Sequence, residues 1–202
     1  MDLFTVSGSW KKGLVLDKHI ISSECIGHDA QGKPKFNTIR TELGDIVYEI
    51  KYHRSYGSTY LKVYNEFFPK FNALTSNHVK QFIIENNINL ILGAPFSSKR
   101  TIQPVDLFCD FISNMTGIPY IKNAISKKTT KPSKDMDLFE KKNLYNQIEI
   151  DKSILKKLDG LNILIIDDLY QTGTTLEACT KYLQQNLNYA NVYVLGMTKT
   201  RG

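Results

Sequence analysis

The stretch that decides the fold runs Ile163-Leu164-Ile165-Ile166-Asp167-Asp168-Leu169-Tyr170-Gln171-Thr172-Gly173-Thr174-Thr175-Leu176. It opens with four apolar residues, the pattern of a strand buried on both faces of a parallel sheet. Residues 162–166 therefore read as a strand, and 176–187 carry helical spacing. Between them lie two carboxylates and a short loop of hydroxyl residues around Gly173. Open α/β sheets bind ligands beyond the carboxyl ends of their strands. A helix start there offers backbone N–H groups and a partial positive charge, both suited to a phosphate. Gly173 permits close backbone approach, and Thr172, Thr174 and Thr175 add hydroxyls. Two acids directly before such a cup would repel the phosphate itself. They make sense as acceptors for sugar hydroxyls beside it, so the segment reads as a clamp for a ribose 5-phosphate group.

Working outward, residues 89–92 form a second apolar run, ending in Gly93-Ala94-Pro95-Phe96-Ser97-Ser98-Lys99-Arg100. This too reads as a buried strand followed by a basic turn. Residues 102–115 carry helical spacing until Gly117 and Pro119 stop it, and 118–121 and 191–197 read as further strands. Strand and helix thus alternate through 89–197, which predicts an α/β fold with an open parallel sheet, flanking helices and right-handed crossovers. Upstream, Leu43, Ile46, Val47 and Ile50 recur at helical spacing, as do Val79, Phe82 and Ile83, and Pro69 is expected to separate a pair of helices. Residues 1–40 hold short apolar runs punctuated by Gly27, Gly32 and Pro34, which predicts a small N-terminal β-hairpin or sheet extension. The expected division is an extension over 1–40 and one α/β domain over 41–202. Residues 122–147 are polar and lysine-rich, and a stretch this long between core elements is usually functional or mobile.

The net charge is +6, which suits a polyanionic partner of some kind: nucleic acid, a membrane surface or a phosphorylated metabolite. Cys25, Cys109 and Cys179 are far apart and form no CxxC pair, which argues against a disulfide framework or a structural zinc site. His19, His28, His53 and His78 show no metal-ligand spacing. No apolar run reaches spanning length and the N-terminus has no signal pattern, so a cytoplasmic protein without a membrane partner is expected. The GxxxxGK[ST] of a P-loop and the GxGxxG of a dinucleotide fold are absent. Among the lysines of 122–147 the aromatic residues are Phe139 and Tyr145, a poor platform for stacking bases, which argues against direct nucleic-acid binding.

The 163–176 segment resembles the 5-phosphoribosyl-1-pyrophosphate signature of the type I phosphoribosyltransferases, with the match at Asp167-Asp168 and Thr172-Gly173-Thr174-Thr175. The resemblance covers roughly residues 43–202. It implies an enzyme that transfers the phosphoribosyl group, or hydrolyses the donor, with release of pyrophosphate and with Mg as cofactor. It gives Asp167 and Asp168 a catalytic role on the ribose hydroxyls, holding the metal mainly through the donor and water. Gln171, Thr172, Gly173, Thr174 and Thr175 would bind the 5′-phosphate. Ala94, Pro95, Ser97, Ser98, Lys99 and Arg100 would form a pyrophosphate loop. Residues 122–147 would be a mobile hood presenting Lys127, Lys128, Lys131 and Lys134.

Within the family the chain is similar to the ComF-like branch, through Lys51-Tyr52-His53, Gln103 and Lys141-Lys142-Asn143-Leu144. Its N-terminal segment, with Trp10, Gly13, Asp17 and His19, resembles a stand-alone group of phosphoribosyltransferase toxins encoded beside a DprA-like antitoxin in anti-phage pairs. One departure bears on chemistry. Where 6-oxopurine salvage enzymes carry an Asp before Thr-Gly, this chain has Gln171, which cannot serve as a general base. The acceptor is left open among a nucleobase, another nitrogen nucleophile and water. Two alternatives also remain at this point: a non-catalytic sensor of the phosphoribosyl donor or a nucleotide, and an accessory protein of DNA uptake.

Overall fold

Side chains along the run that opens the deciding segment alternate between two cores. Leu164 and Ile166 join one buried cluster, while Ile163 and Ile165 join another on the opposite face. Each such side chain stabilises the fold by about 1.5–3 kcal/mol on burial, and burial on both faces explains why the run carries no polar residue. The structure is a computed structural model that describes residues 1–54, 57–96, 98–128 and 136–200.

The elements, in chain order, are β1 (Phe4–Thr5), β2 (Lys12–Lys18), β3 (Ile20–His28), β4 (Pro34–Arg40), α1 (Glu42–Tyr48), a π-helical turn (Glu49–Arg54) and α2 (Tyr60–Glu85). Then come β5 (Leu90–Gly93), α3 (Pro104–Thr116), β6 (Tyr120–Ile121), β7 (Ile125–Lys127), α4 (Leu138–Lys142) and a 3-10 turn (Leu144–Gln147). Last are β8 (Ile148–Ile150), α5 (Lys152–Leu155), β9 (Asn162–Tyr170), α6 (Thr174–Asn186) and β10 (Asn191–Lys199). The fold is α/β, built on a six-stranded sheet in the order β1-β2-β10-β9-β5-β6. All neighbours in it are parallel except β1 against β2. Helices α1–α3 cover one face, and α6 with the β7–β8 pair covers the other. Among the described residues no helix is long and apolar enough to cross a membrane.

Residues 1–40 divide between two structures. Strands β1 and β2 belong to the central sheet, with β2 parallel to β10 in the register Tyr193↔Lys12 to Lys199↔Lys18. Strands β3 and β4 form the hairpin, closed by Asp29, whose carboxylate accepts from Gln31 N and Lys33 N.

The expected break at Pro69 does not occur. Pro69 lies inside α2, which runs unbroken for 26 residues. It sits on the exposed face, where water can satisfy the carbonyl that loses its N–H partner. The opposite face holds a continuous buried stripe of Val63, Phe67, Phe71, Val79 and Phe82. Phe71 packs on Phe108 and Phe111 of α3 with ring centroids 5.5 and 5.3 Å away. This packing outweighs the lost hydrogen bond.

The lysine-rich 122–147 segment also differs from a plain polar loop where it is described. Ala124, Ile125, Met136 and Leu144 are buried, and they pin β7, α4 and the 3-10 turn against the α6 face. Asp137 and Glu140 close a capping box at the start of α4. Strand β8 then pairs antiparallel with β7.

Candidate functional site

Topology sets the site. After β5 the chain crosses through α3 to β6 on one side; after β9 it crosses through α6 to β10 on the other. The crevice beyond the carboxyl ends of β5 and β9 is therefore a topological switch point, the place where such sheets take ligands. Strand β9 is longer than the sequence suggests. It stays paired with β10 as far as Lys199↔Tyr170, whereas pairing with β5 ends at Gly93↔Ile166. Asp167 and Asp168 thus lie within the strand, on the stretch that β5 no longer covers.

A pocket of about 290 Å³ opens there. Asp168 is buried, and Lys51 spans its carboxylate, with Nζ 3.0 Å from Oδ1 and 2.9 Å from Oδ2. Burial alone would depress the Lys51 ammonium, but Asp168 beside it reverses that and leaves its pKa raised. Asp167 accepts the Asp168 backbone N–H at 2.9 Å and keeps partial solvent contact. Burial, and then the charge of Asp168, push the Asp167 carboxyl up to about 7, against the opposing pull of Lys51. Lys51 comes from the π-helical turn Glu49–Arg54, a backbone form concentrated at functional sites.

The loop after β9 is shaped by Gly173, whose φ of 70° is left-handed; a Cβ there would lie 2.8 Å from the Tyr170 hydroxyl. Gly173 is also the N-cap of α6 and supplies no side-chain capping bond. The helix start thus lacks the acceptor that Ser, Thr or Asp would provide, which leaves a place for an external anion. Thr172 and Thr174 bond to each other through their hydroxyls at 2.8 Å.

The sequence-predicted residues do not all meet in the pocket. Asp167, Asp168, Gln171, Thr175, Pro95, Ser98, Arg100 and Lys127 line it. Thr172, Gly173 and Thr174 line a neighbouring cavity of about 350 Å³, together with Lys141, Lys142 and Lys181. Ala94 is buried and its N–H bonds to the Ile166 carbonyl at 2.8 Å. Lys99 is exposed and does not line the pocket. Lys128 turns to Glu149, 3.3 Å away. Ser97, Lys131 and Lys134 lie outside the described residues. Burial lowers the pKa of Lys127, which sits at the end of β7.

Residues not foreseen as site members also line the pocket: Lys51, Tyr52, Phe96 and Gln103. Gln103 Nε2 donates to the Ser98 carbonyl at 3.1 Å. Its Oε1, and Nε of Arg100, are buried without a hydrogen-bond partner among the described residues. Buried polar atoms of this kind are rare in folded proteins and suit a polar ligand.

For a magnesium ion the oxygen chemistry is right, since carboxylates and hydroxyls are hard ligands. Yet no group of three or more His, Cys, Asp or Glu side chains converges among the described residues. The pocket fits an ion that takes most of its ligands from a bound phosphate ester and water, and does not fit a protein-caged ion.

Fold and site together define an α/β protein with a crevice at the switch point of its sheet, lined by two carboxylates and by basic side chains. Solved structures similar to this chain include adenine phosphoribosyltransferases. One is 15% identical, with 88% of this chain and 86% of that chain covered and a TM-score of 0.42. The enzyme from Saccharomyces cerevisiae, complexed with D-2,5-dideoxy-2,5-imino-altritol 1,6-bisphosphate and adenine, is 15% identical over 88% and 85%, with a TM-score of 0.43. That from Giardia lamblia, complexed with 9-deazaadenine, is 14% identical over 89% and 94%, with a TM-score of 0.43. No protein-family model and no curated protein matches the sequence.

Proposed function

We propose that the chain is a phosphoribosyltransferase-type enzyme that takes 5-phosphoribosyl-1-pyrophosphate with magnesium and releases pyrophosphate. The observation that carries this reading is the meeting, in one pocket at the switch point, of the acid pair, Thr175 from the first turn of α6 and the cations Lys51, Arg100 and Lys127. Asp167 and Asp168 accept hydrogen bonds from the ribose 2′ and 3′ hydroxyls. The start of α6, with Thr172–Thr175 and Gln171, holds the 5′-phosphate. Arg100, Lys127 and the turn after β5 receive the pyrophosphate. As the bond from C1′ to pyrophosphate breaks, positive charge grows on the sugar and negative charge on the leaving group. Fixed acids beside the first and fixed cations beside the second favour that separation without reorganisation. Magnesium, when bound, supplies further charge neutralisation to the pyrophosphate. Gln171 faces the pocket but cannot take a proton from an acceptor.

The test is pyrophosphate release by the purified protein with phosphoribosyl pyrophosphate and magnesium, alone and with a panel of nucleobases. The Asp167→Ala/Asp168→Ala variant runs alongside. Release that needs both acids supports the reading, and its dependence on a base separates transfer from hydrolysis. Binding without release assigns a sensor instead, and absence of both overturns the reading. Family resemblance extends the proposal to a toxin restrained by a DprA-like partner. On that extension, expression of the wild-type chain arrests growth and the double alanine variant does not.

A further inference from the structure

We infer that the outer edge of β4 is an interface between two copies of this chain, which pair antiparallel about a two-fold axis at Asn37 and join their hairpins into one four-stranded sheet. This goes beyond the proposed activity and concerns a part of the molecule that contributes no residue to the crevice.

The hairpin is under-covered as it stands. Among the described residues β3 and β4 pair only with each other, and no residue of either strand is buried. A two-stranded hairpin is at best marginally stable in water and needs a further strand or a packed layer. Ile21, Ile26, Phe36 and Ile39 are each more than half exposed, and apolar side chains gathered in this way mark an interaction surface. The base of the hairpin is nonetheless fixed. Thr41 Oγ1 donates to the Lys18 carbonyl at 2.6 Å, and the Arg40 guanidinium lies 3.6 Å from the centre of the Tyr48 ring. A strand held at its root is presented to a partner with little ordering cost.

The two edges of the hairpin are not equivalent. Strand β3 carries an extra residue at Ile21 and another at Ile26, where its register against β4 shifts. Bulges of this kind spoil an edge for further pairing. Strand β4 has no extra residue, and its proline, Pro34, stands at its first position. The regular edge, open to another strand, is therefore β4.

Its sequence is self-complementary. With the axis at Asn37 all seven residues of β4 find partners: Asn37 faces its own copy, Phe36 faces Thr38, Lys35 faces Ile39 and Pro34 faces Arg40. No cation stands opposite a cation. Moving the axis half a residue towards Thr38 would set Lys35 against Arg40, and a parallel in-register pairing would set each of them against itself, both of which are destabilising. In the Asn37 register Phe36 lies diagonal to its own copy, roughly 7–8 Å away and within reach of an aromatic side chain. Such an isologous contact closes on itself and stops at a dimer.

Sedimentation equilibrium of the full chain at micromolar concentration provides the test, and a dimer is expected. Ile39→Lys places a lysine opposite Lys35 of the second copy, twice per dimer, whereas Ile39→Glu places an acid there. Both variants lose the same isoleucine. Ile39→Lys is expected to dimerise about tenfold or more weakly than Ile39→Glu. Leu61→Lys and Leu61→Glu, at an exposed position of α2, change the net charge equally and are expected to match each other. A monomeric wild type overturns the inference and leaves the edge to a strand of a different protein. Equal dimerisation of the two Ile39 variants, or as large a difference between the two Leu61 variants, overturns it as well. Should either Ile39 variant lack a cooperative melting transition, amide exchange of the wild type decides. Exchange over 34–40 is expected to slow as protein concentration rises, and a rate independent of concentration overturns the inference.

Discussion

Replacing Asp167 with Asn is expected to stabilise the ligand-free protein at neutral and alkaline pH while abolishing pyrophosphate release. Asn has nearly the same shape, and its Oδ1 can still accept the Asp168 N–H, bonded at 2.9 Å in the wild type. What it removes is a charge held against burial and against Asp168. The carboxyl is moved from 3.8 to about 7, which at about 1.4 kcal/mol per decade sets a ceiling of ~4 kcal/mol. Partial solvent contact screens some of this, so a gain of ~2 kcal/mol is expected, or ~4–8 °C in melting temperature for a chain of this size. The sign follows from proton linkage. Because the folded-state pKa lies above the unfolded one, the folded protein binds the extra proton between 3.8 and about 7. Stability linked to Asp167 is fully present below that window and is lost as pH rises through it. Thermal melts of both proteins from pH 4 to 8.5, with chelator present, should therefore show a gap that opens as pH rises and levels off above about 7. A gap of equal size at pH 4 and pH 8, or a less stable variant at pH 8, would refute the reasoning.

Other perturbations separate site from scaffold. Gly173→Ala forces a side chain into the left-handed region and against Tyr170; melting should report a loss of about 1–2 kcal/mol, and calorimetry a loss of phosphoribosyl pyrophosphate binding. Arg100→Ala should weaken inorganic pyrophosphate binding about tenfold with little change in melting temperature, since a charge-assisted contact to ligand is removed and no core packing. Pro69→Ala, on the exposed face of α2, should raise stability by about 1 kcal/mol and leave pyrophosphate release unchanged, because it restores a helical hydrogen bond. Phe71→Ala should cost about 3–5 kcal/mol in denaturant melts by emptying the contact between α2 and α3.

Much of this arrangement can be read from local sequence, for a physical reason. Residues 163–166 are apolar because both faces of β9 are covered, and the hydroxyl loop follows because a helix begins there. Periodicity locates such features well. It cannot show that Lys51 meets Asp168 across 117 positions, since nothing in the spacing around Lys51 encodes its partner. Nor does it show that residues 12–18 pair beside β10. A short apolar run flanked by glycine looks the same in a hairpin and in a sheet strand. At Pro69 the local rule was sound, but the buried stripe of α2 was stronger. The acids were expected just past the strand and lie inside it, because β10 extends the pairing that β5 abandons.

The place of β2 has a consequence for how the chain is made. Val15 and Leu16 are translated well before β10, 191–199, the strand they must lie beside. Pairing across such a separation closes slowly and late. Until β10 is made, β2 has only the two residues of β1 to pair with, and its apolar residues offer a site for chaperones. Removing residues 1–18 would have the converse effect. The finished protein would keep β9 and β10 but expose the parallel edge of β10, a template for another chain's strand, so such a truncation should express as aggregate even though the crevice residues are untouched.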